Sequence, residues 1–124
     1  MLQEVSQVRQ IENENPRRWF SSQDMDLTVW VEKDGTISGF ELCYDKEKDE
    51  RALRWLRGAG FLHERVDDGE SRPGRFKGTP ILVPDGLFDA RAVAERFRIA
   101  SSRIDQLIAT FVYEQLLEYP VSRS

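Results

Sequence analysis

The residues of this chain that are best suited to chemistry lie between His63 and Glu70. The single histidine, His63, is followed by Asp67, Asp68 and Glu70, so one imidazole and three carboxylates fall within eight residues. If a turn brings them together, these groups suit a divalent metal ion or an acid/base pair. Their spacing matches none of the usual metal signatures, and an Asp-Asp-Gly turn with solvated acids explains the same residues. They define an alternative hypothesis, a small metal-dependent or acid/base hydrolase centred on His63 and this loop.

A second group of candidate residues is basic and aromatic. Its members are Arg17, Arg18, Trp19, Arg72, Arg75 and Lys77. Guanidinium groups beside aromatic rings suit phosphate groups, carboxylate groups or single-stranded nucleic acid. The grouping requires the 67–77 loop to lie near the start of the sheet, and arginine stems that cover strand edges are the other explanation. We expect a non-catalytic surface here that binds a protein or an anionic small molecule.

Familiar enzyme motifs are absent from the sequence. It has no glycine-rich phosphate loop of the Walker or Rossmann kind and no G-x-S-x-G elbow. One histidine does not supply a His-rich metal triad, and nothing points to the serine of a Ser-His-Asp triad. Cys43 lies in a predicted strand, where a free cysteine is usually a small core residue. The sequence predicts no cofactor and favours binding over catalysis.

The length, charge and cysteine content of the chain predict its domain number and exclude some classes of function. A chain of 124 residues predicts a single domain, 1–124. A net charge of −4 argues against general nucleic-acid binding, which needs a basic excess. The sequence has no signal-peptide pattern and no run of about 18 apolar residues, which predicts no membrane span. A lone cysteine fits a reducing cytoplasm.

The clearest structural signal is a β-hairpin around Asp34-Gly35. Alternating apolar residues on both sides of an Asp-Gly pair predict two antiparallel strands, at about 25–32 and 36–44, joined by a two-residue type I′ turn. That turn pairs Val31 with Ser38, Val29 with Phe40, Leu27 with Leu42 and Trp30 with Gly39. A slip of one residue would set apolar side chains against polar ones, so this register is favoured.

Other segments are assigned from periodicity and caps. Residues 1–16 favour an edge strand over a short helix, and 17–20 continue in extended conformation. Acids after Asp45 and an Ala52, Leu53, Trp55, Leu56 stripe predict a helix that ends at Gly58 or Gly60. Strands are expected at 61–66 and 79–83, with His63 at a strand surface and a polar loop between them.

Two helices are predicted at the end of the chain. Asp89 caps the first, which runs to about Arg98, and Ser101 or Ser102 caps the second, which ends at Tyr119. The expected core face of the second comprises Ile104, Leu107, Ile108, Phe111, Val112 and Leu116. Its flanking residues Ala109, Tyr113 and Leu117 fit either a homodimer contact or burial beside a neighbouring helix. The fold class is therefore α+β, an antiparallel sheet of four to five strands with helices on one face.

Several short motifs also form a recognisable combination. The combination resembles a group of small uncharacterised bacterial proteins of about this length, through RRWF at 17–20, DL at 26–27, VW at 29–30, GF at 39–40, LCYD at 42–45, VDDGE at 66–70, TPILV at 79–83 and DG at 85–86. The resemblance covers nearly the whole chain. It implies a bacterial cytoplasmic protein and brings no activity, cofactor or catalytic residue with it.

Overall fold

The computed structural model describes residues 1–6, 10, 16–47, 50–67, 81–84 and 89–119, and for 65–67 and 81–84 it describes the backbone alone. Within these ranges the chain forms seven strands followed by two helices. The strands are β1 (Gln3–Val5), β2 (Arg17–Ser21), β3 (Met25–Val31), β4 (Ile37–Tyr44), β5 (Arg51–Leu56), β6 (Gly60–Asp67) and β7 (Ile81–Pro84). The helices are α1 (Ala90–Ala100) and α2 (Gln106–Leu117).

The strands form one antiparallel sheet in which each strand pairs with the next in sequence. The α+β class is confirmed, with seven strands in the described residues rather than the four to five that were expected. Neither α1 nor α2, the helices within the described ranges, is long and apolar enough to cross a membrane.

The buried apolar side chains of the described residues form one hydrophobic core between the sheet and the two helices. Side chains alternate between the faces of a strand, so residues two apart share a face. The buried strand residues Phe20, Leu27, Val29, Phe40, Leu42 and Leu53 all belong to one face. They form one cluster with Val93, Ala94 and Phe97 of α1 and with Ile108, Val112 and Leu116 of α2. Both helices therefore pack on the same side of the sheet.

The predicted register of the β3–β4 hairpin is confirmed over most of its length. Val29 pairs with Phe40, Leu27 with Leu42 and Trp30 with Gly39. Near the turn the prediction was wrong, because Val31 pairs with Ile37 rather than with Ser38.

The geometry of the turn explains this local error. Gly35 has a φ of 91°, whereas Asp34 is not among the residues with positive φ, which a type I′ turn would require at both positions. The backbone N–H of Glu32 donates to Thr36, so the loop has three residues. A bulge at Ser38 takes up the extra residue and restores the predicted register beyond it.

The helix predicted after Asp45 was wrong, and residues 51–56 form strand β5. β5 pairs with β4 on one side and with β6 on the other, through Leu53–Leu42 and Leu53–His63. The two glycines predicted to end this helix instead form the β5–β6 turn, where Gly58 and Gly60 have φ values of 84° and 89°. The helix was predicted from the local sequence preference of these six residues. Pairing with two neighbouring strands overrides that preference.

The ends of the chain are tied to this core. The edge strand favoured for the N-terminus is confirmed over Gln3–Val5, and the fully buried Leu2 donates its N–H to Ala100 of α1. Asp89 caps α1 as predicted. Asp105, rather than Ser101 or Ser102, caps α2. Leu107 was expected on the core face of this helix and is 83% exposed.

Candidate functional site

The face of the sheet opposite the two helices is described here as the helix-free face. Its residues lie in three rows across the strands, set by the pairing register. The Arg17 row contains Arg17, Trp30, Gly39 and Leu56. The Trp19 row contains Val5, Trp19, Thr28, Glu41, Arg54 and Leu62, and the Ser21 row contains Gln3, Ser21, Asp26, Cys43, Ala52 and Glu64.

Large apolar side chains remain accessible on this face. Trp19 is 38% exposed, Leu56 is 41% exposed and Leu62 is 48% exposed. They lie on β2, β5 and β6, on both sides of the central strands. Surfaces that combine accessible tryptophan with arginine are typical of protein interaction sites.

Gly39 sets the shape of the Arg17 row. A β-carbon at this position would lie 2.7 Å from Leu56 Cδ2 and 2.8 Å from the backbone oxygen of Trp55. Glycine is therefore required because strand β5 approaches closely, and the side chain of Leu56 covers the bare backbone. Between Trp30 and Leu56 the row is shallow, since Gly39 has no side chain of its own.

Two ion pairs hold the charged groups of the helix-free face in place. Arg54 donates through Nη2 to Glu41 Oε2 at 2.7 Å, directly across β4 and β5. Lys46 Nζ lies 2.9 Å from Asp26 Oδ1, and it also donates to the carbonyl oxygen of Ser22. Both pairs are partly exposed, so they order the side chains and add little stability.

Charge is unevenly distributed over this face. The Arg17 and Trp19 rows together hold two arginines and one glutamate. The Ser21 row holds Asp26 and Glu64, with Lys46 as the neighbouring cation. The half of the face nearest the β3–β4 and β5–β6 turns is therefore positive, in a chain whose net charge is −4.

The structure divides the predicted basic group between two faces. Arg17 and Trp19 lie on the helix-free face, whereas Arg18 lies on the helix side between them in sequence. Arg18 donates to Glu4 at 2.7 Å and to Asp105 at 3.1 Å, and its guanidinium lies 5.4 Å from the centre of the Phe20 ring. Arg18 thus connects β1 and β2 to the start of α2 and does not share a surface with Arg17.

The ion pairs of Arg18 change the acidity of both partners. Its hydrogen bond is the main cause that lowers the pKa of the Glu4 carboxyl. A second hydrogen bond from Arg18 lowers the pKa of Asp105, with help from the backbone N–H of Leu107. The carboxylates in turn raise the pKa of Arg18, chiefly through the hydrogen bond to Glu4.

The remaining members of the basic group, Arg72, Arg75 and Lys77, lie outside the described residues. Their proximity to Arg17 stays a prediction. Two residues of the helix-free face were missing from that group. Arg54 was assigned to a helix, and Trp30 was named in the hairpin but was not linked to Arg17. The predicted hairpin register could have placed Trp30 on this face, because it sets Trp30 and Gly39 opposite to the core face of the hairpin. The register of β2, which brings Arg17 beside Trp30, was not predicted.

His63 lies in the core, and its placement at a strand surface was wrong. It is 5% exposed, and its Nε2 lies 2.6 Å from the hydroxyl oxygen of Tyr44. The two rings stack with their centres 6.0 Å apart. His63 faces the helices because it pairs with Leu53, one of the buried core residues.

The structure describes only part of the rest of the acidic group. The backbone of Asp67 pairs with Ile81, while Asp68 and Glu70 lie outside the described residues. Among the residues that the structure describes, no three His, Cys, Asp or Glu side chains are grouped so as to hold a metal ion. The metal site therefore stays a prediction.

Cys43, in the Ser21 row, is a poor nucleophile. Burial is the largest cause that raises the pKa of its thiol, and the negative charges of Glu41, Glu50 and Asp26 raise it further. Because the thiolate is the reactive form, this environment suppresses reactivity.

Comparison with protein families, curated proteins and solved structures finds no match to this chain.

Proposed function

We propose that this protein is a non-catalytic binding module that holds an acidic partner protein on its helix-free face. The observation that carries the proposal is the set of accessible Trp19, Leu56 and Leu62 side chains beside Arg17 and Arg54. Tryptophan and arginine contribute most often to the tightly bound centre of protein interfaces.

The charge of the surface argues for the kind of partner. The Arg17 and Trp19 rows carry a small positive excess, which complements carboxylates. Nucleic-acid binding depends on many cationic contacts, whereas these two rows hold only two arginines among the described residues. A protein that presents an apolar side chain flanked by Asp or Glu fits both the exposed apolar groups and the local charge.

The rigidity of the face also supports this role. The central strands are each paired on both sides, and Arg54 is held by Glu41 before any partner arrives. A surface whose side chains are already ordered loses less conformational entropy on binding. Arg17 and Trp19 are fixed in register by their pairing with Trp30 and Thr28.

The test is capture of partners with the wild-type chain and with matched variants. We expect Trp19→Ala combined with Arg17→Ala to lose a protein that the wild type retains after crosslinking. Leu107→Ala removes a more exposed apolar side chain, on the helix side of the molecule, and should retain it. A purified partner should bind the double variant at least tenfold more weakly. Equal binding to all three chains would refute the proposed surface.

The alternative function, a hydrolase centred on His63 and the 67–70 loop, has less support. His63 is buried and its Nε2 is already hydrogen-bonded to Tyr44, so substrate access to it requires rearrangement of the core. Melting curves with Mg²⁺, Mn²⁺ and Zn²⁺ test the metal-dependent form. A rise in the melting temperature that disappears in Asp68→Asn would support the metal-dependent hydrolase hypothesis.

A further inference from the structure

Helix α2 carries accessible leucines on the side that faces away from the core. Its buried residues are Ile108, Ala109, Val112 and Leu116. Leu107 and Leu117 lie on the opposite side and are 83% and 48% exposed. Thr110 and Glu114 are exposed between them, and residues three or four apart share a face of a helix. The outer stripe of α2 therefore consists of Leu107, Thr110, Glu114 and Leu117.

A groove of about 470 Å³ between α1 and α2 adjoins the outer stripe. Its wall includes three residues of the stripe, Thr110, Glu114 and Leu117, together with Ala109 and Tyr113. Ala109 is only 5% exposed, whereas Leu117 beside it remains accessible. Burial between the helices thus accounts for Ala109 and leaves Leu117 to contact a second molecule.

The spacing of the outer stripe is self-complementary. Steps of three, four and three residues are those of the contact positions in a coiled coil. In an antiparallel pair of α2 helices centred on Val112, Leu107 lies opposite Leu117 of the second copy. Thr110 then lies opposite Glu114, whose carboxylate can accept the threonine hydroxyl proton. A two-fold axis repeats both contacts, as in other isologous dimers.

Charge at the end of α2 favours this antiparallel arrangement. Glu114 and Glu118 are both exposed and lie four residues apart, a spacing at which like charges destabilise a helix. The last turn of α2 holds no basic residue, and the carboxyl end of a helix is itself partly negative. A parallel pair would bring four glutamates together, whereas an antiparallel pair keeps the two acidic ends apart.

The start of α2 is the better neighbour for these glutamates. Its N-terminus is partly positive, and the exposed Arg103 precedes the helix by three residues. The acid at this end, Asp105, is already bound by Arg18, which also binds Glu4. Together these four side chains are neutral, so the acidic end of a second copy meets no net negative charge here.

We propose that a second copy of this chain docks on the outer stripe and forms an antiparallel homodimer. Leu107 of each copy enters the groove beside Leu117 of the other. Arg98, the remaining charged residue of the groove, is paired with Glu95 and leaves no unbalanced charge there. The contact lies on the helix side, so the helix-free face of both copies stays accessible to a partner.

Sedimentation equilibrium of the whole chain tests the association. Helix α2 has 12 residues and is therefore about 18 Å long, so the contact belongs to the small interfaces that dissociate on dilution. Between about 10 µM and about 1 mM, a range suited to weak interfaces, we expect the mean mass to rise from 14.4 kDa towards twice that value. The mass of one chain at every concentration would overturn the proposal.

Matched variants test the surface. Leu107→Gln should weaken self-association at least tenfold and, because this side chain is so exposed, should fold normally. Ile99→Gln makes a similar change at a residue of α1 that is 57% exposed and lies outside the groove, and it should associate like the wild type. Weakened association of both variants, or of neither, would refute the outer stripe as the contact.

The dimer and the partner surface fail independently. Trp19→Ala with Arg17→Ala changes only the helix-free face, so it should lose the captured partner and still form the dimer. Leu107→Ala should do the reverse. A double variant of the helix-free face that no longer dimerises would place the contact between copies on that face and overturn the proposal.

Disulfide trapping tests the antiparallel register, in a Cys43→Ala background that removes the native thiol. A mixture of Leu107→Cys and Leu117→Cys chains should form a linked dimer on mild oxidation. Leu107→Cys alone should not, because in this register its two copies lie about 15 Å apart along the helix axis. Disulfide formation requires Cα atoms within about 7 Å. Efficient linking of Leu107→Cys alone would show a parallel pair and refute the register.

Discussion

The two faces of the sheet differ in what their side chains do. On the helix side, Phe20, Phe40 and Phe97 are fully buried and hold the sheet against the helices. On the helix-free face, Trp19, Leu56 and Leu62 remain partly exposed beside ordered ion pairs. Alternate residues of the same strands therefore have different roles. Those on the helix side stabilise the fold, and those on the helix-free face form an accessible surface.

Neighbouring residues on β2 show this difference most clearly. Arg18 is bound to Glu4 and Asp105 and joins the sheet to α2. Arg17, one residue earlier, faces the other side in the row of Trp30. Residue type alone does not distinguish these two arginines. The strand register places Arg18 in ion pairs that stabilise the fold and Arg17 on the candidate surface.

Substitution of the two neighbouring aromatic residues of β2 should give the largest contrast. Phe20→Ala removes a fully buried ring and should lower the free energy of unfolding by about 3–5 kcal/mol. Trp19→Ala removes a ring that is 38% exposed and should cost about 1 kcal/mol or less. Urea unfolding measures both. If Trp19→Ala were as damaging as Phe20→Ala, the helix-free face would be a buried surface instead of an accessible one.

Gly39→Ala tests the close approach of β4 and β5 on the helix-free face. The added methyl group would lie 2.8 Å from the backbone oxygen of Trp55, which cannot move without shifting the strand. We expect a loss of about 1–3 kcal/mol, as for other overpacked sites. Thr28→Ala, in the neighbouring Trp19 row of the same face, serves as the control because it only removes atoms. An unchanged unfolding curve for Gly39→Ala would mean that the strands are farther apart.

The fold could be predicted wherever local pattern and tertiary pairing agree. The β3–β4 register followed from alternation around Asp34-Gly35, because a slip would have exposed Leu27 and Leu42. Strand β5 could not be predicted in this way. Its sequence from Arg51 to Leu56 is compatible with a helix, and its pairing with β4 and β6 depends on residues distant in sequence.

The candidate surface was only partly predictable for the same reason. Arg17 and Trp19 were found by residue type, but Arg54 was hidden by the incorrect helix. His63 was expected at the surface, since a lone histidine carries no signal for its burial. Its partner Tyr44 is 19 residues earlier in the chain, and only the path of β4, β5 and β6 brings the two together.

The buried Tyr44–His63 pair allows a sharper test of the helix side. Tyr44→Phe removes the hydroxyl and leaves His63 Nε2 without this hydrogen bond in the core. We expect a loss of about 1–2 kcal/mol, the usual cost of an unsatisfied buried polar group. The double variant Tyr44→Phe with His63→Leu should lose less than the sum of the single changes, because it removes both partners. Strictly additive losses would mean that the two side chains do not interact.

The smallest expected effect concerns Arg18, and it depends on pH. Arg18 lowers the pKa of Glu4 and Asp105 in the folded chain, so these carboxylates stabilise the fold above their unfolded pKa values, near 4. Arg18→Gln should therefore cost about 1 kcal/mol or less at pH 7, since the pairs are partly exposed. The difference from wild type should shrink as the pH falls through the lowered pKa values, where both carboxylates become protonated.

Arg17→Gln is the matched comparison for this experiment, because it removes the same charge from the helix-free face. Urea unfolding at pH 7 and at pH 2.5, below the unfolded carboxyl pKa values by more than about 1 unit, measures both variants. We expect a smaller pH-dependent difference for Arg17→Gln than for Arg18→Gln. The reverse order would mean that Arg17 carries the structural ion pairs, and the assignment of the two arginines to opposite roles would be wrong.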